Sequence, residues 1–140
     1  LFALIPTPGC KALAEVHPFH PILDAWVAGQ ATWAVSTKVL LEYEEVLTRL
    51  SGPARWRKLA RLMDLAELTS GNLLRVTPSF HFNIVMADPD DNIFADCAIT
   101  AGADYLITED QHFAALREAG YKPQPIAPRE FVARFIAPPA

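Results

Sequence analysis

Cysteine is scarce: the 140 residues hold two, Cys10 and Cys97, far apart and each among apolar or small neighbours. Closely spaced metal or redox pairs and a disulfide framework are thereby excluded, and a reduced, cytoplasmic protein is expected. No apolar run approaches the roughly 18 residues that span a bilayer, and the opening LFALIPTP has no basic region in front of it as a signal peptide would. Positive charge is also short, with 12 Lys and Arg against 16 Asp and Glu and a net charge of -4. No global field then attracts a polyanion, so nucleic acid must be met by a local basic patch or through cations. An initiator Met is lacking as well, and the apolar run at Leu1 reads as the inside of a folded element, with residues expected in front of it.

What is present is enough apolar material, 51% of the chain, to bury one core, so residues 1–140 are expected to form a single domain. The segment PTPGCKALAEVHPFHP reads as a loop with at most a short helix at CKALAEV. PILDAWVAG reads as a helix that tolerates Pro21 in its first turn and stops at Gly29. ATWAVS (31–36) reads as a strand, and Ser36 or Thr37 as the cap of the helix TKVLLEYEEVLTRL. PARWRKLARLMDLAELT is a second long helix, and NLLRVTP (72–78) a strand ended by Pro78. DDNIFADCAITAG is helical, DYLIT (104–108) a buried strand, EDQHFAALREAG a helix, QPIA an edge strand and PREFVARFI a last helix. Residues 137–140, APPA, are expected to fray. This alternation predicts an α/β fold with a mainly parallel sheet covered by helices.

Against the overall shortage of clusters, one stretch is dense in charge. DPDDNIFADCAITAGADYLITED, residues 88–110, carries seven acids and no Lys or Arg. Open parallel sheets gather functional groups beyond the carboxyl ends of their strands, and Glu109 and Asp110 follow DYLIT at that end. At 100° per residue, Val39, Tyr43, Val46, Leu47 and Leu50 make one apolar face, with Glu42 on its border and Glu45 pointing away. In the later helix Ile93, Phe94, Cys97 and Ala101 face the core, Asp96 borders them and Asn92 lies beside Asp96 at i-4.

Glu42, Asp96 and Asp110 are therefore each expected to be partly shielded from water and able to converge. Like charges so placed call for a cation, and Mg²⁺ or Mn²⁺ suits a few carboxylates with substrate phosphates. Each acid alone has an ordinary reading: helix rim for Glu42, dipole-favoured helix start for Asp96, turn chemistry around Pro89 for Asp88 and Asp90. Only their joint placement favours a site. An EF-hand loop from Asp88 fails, since Ile93 and Ile99 stand where Gly and Glu are required. A phospho-acceptor of the receiver type remains open but lacks an identifiable paired Lys.

The pieces VSTKVLLEYEEVL, ADPDDNIFADCAITAGADYLITEDQHF and PREFV resemble the PIN-domain family, specifically the subfamily described as toxin components of bacterial toxin-antitoxin systems. The resemblance implies a PIN-like parallel sheet flanked by helices and a metal-dependent ribonuclease built around three or four acids. By position it implies Glu42, Asp96 and Asp110 as catalytic and metal-binding acids, with Asp91 as a further candidate ligand and Asn92 and Thr108 as polar support. It also implies an RNA substrate, a protein antitoxin, a homodimer, and cleavage leaving a 5'-phosphate and a 3'-hydroxyl.

The chain departs from the family at the front. The first strand, its terminal Asp and the D-[TAS]-N-V setting before an apolar helix like LFALI are absent, so the chain is expected to lack its first strand or to be a degenerate PIN-like binding module that pairs with an antitoxin or with itself. For RNA, Arg55, Lys58 and Arg61 share one helix face and are candidate phosphate contacts, with a solvated surface as the ordinary reading. His112 is expected to be structural, and Trp26, Trp33 and Trp56 to serve the core or an interface.

Overall fold

The computed structural model describes residues 2–4, 19–69, 71–85 and 91–136. The loop and short helix expected around CKALAEV and the frayed APPA tail lie outside these residues, as does Cys10. Five strands, β1 (Phe2–Leu4), β2 (Trp33–Val35), β3 (Leu73–Arg75), β4 (Tyr105–Ile107) and β5 (Gln124–Ile126), alternate with helices α1 (Phe19–Val27), α2 (Thr37–Ser51), α3 (Pro53–Thr69) and α4 (Asn92–Ala101). A 3₁₀ helix, Gln111–Arg117, joins β4 to β5, and the chain closes with α5 (Pro128–Phe131) and a π turn, Val132–Ile136. The strands are all parallel and lie in the order β3-β2-β1-β4-β5. Their carboxyl ends therefore share one edge of the sheet, where Ser36, Val76 and Thr108 follow their strands.

One expectation is overturned at the centre. LFALI was compared to a helix that follows an absent first strand, yet Phe2–Leu4 is itself the middle strand, with Phe2 opposite both Trp33 and Tyr105. A short, continuous apolar run without alternation is the pattern common to strands of all-parallel sheets. The sequence after it holds no acid until Glu15.

Local chemistry sets the other boundaries. Ser36 caps α2, its Oγ accepting the Val39 N–H at 3.2 Å. Val39, Tyr43, Val46 and Leu47 are buried along α2, but Leu50 is 42% exposed and leaves the apolar face expected for it. Gly102 ends α4 in the left-handed region at φ 64°, donating to Ile99 O while the Ala103 N–H donates to Ala98 O. These two bonds satisfy carbonyls that the helix end would orphan. Residues 111–117, expected as an α-helix, form a 3₁₀ helix capped by Asp110, with Phe113 and Leu116 buried three residues apart.

An aromatic chain ties the layers together: Trp26 on α1 meets Trp33 on β2 edge to face at 5.1 Å, Trp33 meets Tyr43 on α2 at 5.7 Å, and Tyr43 meets Phe94 on α4 at 6.1 Å. Trp26 and Trp33 are fully buried and Trp56 packs partly buried against the core, so all three serve packing. Among the described residues no helix is long and apolar enough to cross a membrane.

Candidate functional site

Asp110 follows β4 after Thr108 and Glu109, at the carboxyl edge of the sheet. The buried Thr108 positions it: Thr108 Oγ1 accepts the Asp110 N–H at 2.9 Å. Asp110 in turn caps the 3₁₀ helix, Oδ1 accepting the His112 N–H at 2.9 Å, and the His112 Nδ1 stands 3.4 Å from the same oxygen. Asp91 occupies the position before α4. Directly behind it Asn92 makes a two-way clasp with the preceding segment, its Oδ1 accepting from Val85 N–H at 2.8 Å and its Nδ2 donating to Val85 O at 3.1 Å. The end of α4 and the end of β4 are thus each fixed by a polar neighbour.

These two ends converge. Asp91, Asp110 and His112 each offer a ligand atom, and the three atoms all lie within 4.8 Å of one another. Oxygen ligands held at about 2.0–2.6 Å from a single divalent ion lie within about 5 Å of each other, so the spacing fits one ion. Asp91 and Asp110 are half-buried and His112 is exposed, leaving the group open to solvent and substrate. Both carboxylates stand at the starts of helical segments, where the helix field favours negative charge. The carboxylate oxygens suit Mg²⁺ or Mn²⁺, and the imidazole widens the choice toward Zn²⁺ and Fe²⁺.

The acids singled out from the sequence are distributed differently. Asp110 is in the group, whereas Glu42 and Asp96 are not. Glu42 is half-buried on α2. Asp96 is 5% exposed, deeper than a border position. Its Oδ1 accepts the Phe82 N–H at 3.0 Å and its Oδ2 lies 3.3 Å from His81 Nδ1. A buried carboxylate needs compensation, and here a backbone donor and an imidazole supply it where a cation was expected. Arg55, Lys58 and Arg61 are all exposed on α3, and Arg55 and Lys58 border a depression with Leu23, Leu47, Leu59 and Leu62.

His112, expected to be structural, stands half-exposed in the group. Asp91 was the weaker candidate because its helical angle differs from that of Asp96. Five residues along a helix is a rise of about 7.5 Å, which separates Asp91, beside Asp110 and His112, from Asp96, which lies beside Ser36 and Val76 at the ends of β2 and β3.

The family model described as PIN domain matches residues 12–112, which spans α1 to α4, β4 and the Asp110–His112 turn. The chain belongs to the PIN-domain family. No curated protein and no solved structure matches it. PIN domains are typically metal-dependent nucleases, and the acidic group at the sheet edge accords with that general property.

Proposed function

We propose that this PIN domain is a metal-dependent endoribonuclease, the toxin of a toxin-antitoxin pair, hydrolysing RNA phosphodiester bonds at the Asp91, Asp110 and His112 group. The convergence of these three side chains at the carboxyl edge of a parallel sheet carries the reading. Asp91 and Asp110 would hold a Mg²⁺ or Mn²⁺ ion, with Glu42 as a further acid. Such an ion supplies Lewis acidity, making water more acidic and offsetting charge on a phosphodiester. Thr108 fixes the direction of the Asp110 carboxylate, and Asn92 fixes the chain beside Asp91. His112, next to Asp110, is placed to hold or release a proton. Arg55, Lys58 and Arg61 offer phosphate contacts on α3.

The reading is tested with purified protein, Mn²⁺ and a labelled single-stranded RNA. Cleavage that needs the ion and disappears in Asp110→Asn supports it; cleavage insensitive to chelator or to this substitution sinks it.

A second reading, a PIN-like binding module that pairs with an antitoxin or a second copy without cutting, draws on two observations. No acid follows β1 before Glu15, and Leu41, Leu65 and Leu68 are 59%, 56% and 85% exposed. RNA left intact at any ion concentration, together with dimerisation lost on Leu68→Glu, would favour it.

A further inference from the structure

A pocket of about 260 Å³ opens between the start of α2, the segment after β3, and the flank of α4. It is smaller than the roughly 300–1,000 Å³ of drug-sized sites, room for one flat ring system and not for an extended chain. Val76, Pro78 and Ile93 give it apolar walls. Asp96 forms its buried polar end, and Ser36 and Thr77 contribute hydroxyls.

The Asp96 carboxylate is held by the Phe82 N–H and by His81, one to each oxygen. A carboxylate has about four lone-pair sites, so it retains capacity for further donors. Lys38 lines the pocket and is exposed, a cation for a phosphate. His81 is 71% exposed while its ring is directed by Asp96. On either side of it Phe80, 62% exposed, and Phe82 meet at a tilt of 58° with centroids 4.9 Å apart, giving aromatic surface beside the pocket.

The pocket also shares an element with the acidic group. Asp91 stands just before α4, and Ile93 and Asp96 follow it after rises of about 3 and 7.5 Å, so the pocket flanks the same helix as the acidic group.

We propose that this pocket binds one unpaired base of a single-stranded RNA and favours bases with an amino group on the pairing edge, namely adenine, cytosine or guanine, over uracil. This rests on the ribonuclease reading and adds a specificity pocket to it. A carboxylate accepts from an exocyclic amino group, as it does from cytosine N4, whereas the uracil edge offers a single N3–H flanked on both sides by carbonyl oxygens that repel the second carboxylate oxygen. The apolar walls take the ring, and Lys38 meets the backbone phosphate at the mouth. Unpaired bases are accessible to such a pocket and paired ones are not.

The test uses the full chain without divalent ions, so that binding is read apart from cleavage, and 5'-labelled nonamers in which the central residue of a uridine run is A, C, G or U. Fluorescence anisotropy is expected to show the A, C or G oligomer binding at least about tenfold tighter than all-uridine, the discrimination of one good base contact. Asp96→Asn, whose amide both donates and accepts, is expected to bring the uridine oligomer to within about threefold of the others. Thr77→Trp, at an exposed rim position, is expected to block the mouth and abolish the preference; it serves as the second variant should Asp96→Asn not fold. Equal affinity for all four oligomers, or a preference that survives Thr77→Trp, overturns the proposal. Base preference in a protein that never cleaves RNA would keep the pocket and remove the nuclease; ion-dependent cleavage without base preference would do the reverse.

Discussion

Asp91 opens α4 half-buried, beside Asp110 and His112, while Asp96, a turn and a half further along, is 5% exposed and bonded to the Phe82 N–H and His81. The two acids share a helix and differ in what satisfies them. At the sheet edge, two carboxylates and an imidazole gather with their ligand atoms within 4.8 Å of one another, a spacing that fits one ion. Within the helix, the protein supplies its own donors and the carboxylate anchors the segment that walls a pocket. What separates the two acids is their company: Asp91 stands with Asp110 and His112 beyond β4, and Asp96 with Phe82 and His81 beside the ends of β2 and β3.

The sharpest way to break this comparison is to remove the edge acids. Asp91→Asn or Asp110→Asn is expected to lower ion-dependent RNA cleavage by more than about 100-fold, since even partners one shell out from a metal cost 10–100-fold. A rate assay on labelled RNA across Mn²⁺ concentrations checks it. Asp96→Ala should act on stability instead: leaving the Phe82 N–H without its acceptor costs about 1–3 kcal/mol, measured by urea unfolding. Thr108→Val removes the acceptor of the Asp110 N–H and is expected to weaken ion affinity about tenfold with little change in melting temperature. Gly102→Ala, where an added Cβ meets nothing within 4 Å but φ is 64°, should cost about 1 kcal/mol through backbone strain and leave ion binding intact.

The interior end of α4 also carries a small pH signature. Burial pushes the Cys97 thiol from its ordinary 9.0 up to about 12. Because the folded value is raised, its stabilising contribution is complete below pH 9.0 and is lost as pH rises toward about 12. Slow alkylation of the native protein at pH 8, becoming fast on unfolding, is the expected result; equal rates in both states would contradict the burial. At the opposite end of the sheet, Lys122 3.0 Å away lowers the pKa of Asp104, an exposed pair whose small contribution is present above the usual Asp value and lost on acidification.

Much of the fold was legible because periodicity and punctuation agree. Ser36, Pro53 and Gly102 mark helix ends that the structure reproduces, and ATWAVS, DYLIT and QPIA fall on strands. LFALI was misread because a short apolar run carries no period of its own, and only its neighbours β2 and β4 decide that it is extended. In the acidic group, the place of Asp110 was legible because the end of a strand fixes its position. A helical wheel gives the angles of Asp91 and Asp96 and is blind to height along the axis, so it does not show that Asp91 stands level with Asp110 and His112. His112 was missed as a group member because the turn that brings it back to Asp110 depends on a 3₁₀ geometry that the apolar pattern alone does not distinguish from α.

The most direct test is calorimetric titration of Mn²⁺ into the wild-type chain, Asp91→Asn and Asp96→Asn. The expected result is that ion binding weakens by roughly 100-fold or more in Asp91→Asn and stays within a few fold of wild type in Asp96→Asn. Loss of binding in Asp96→Asn with retention in Asp91→Asn would contradict the assignment of the ion to the sheet edge.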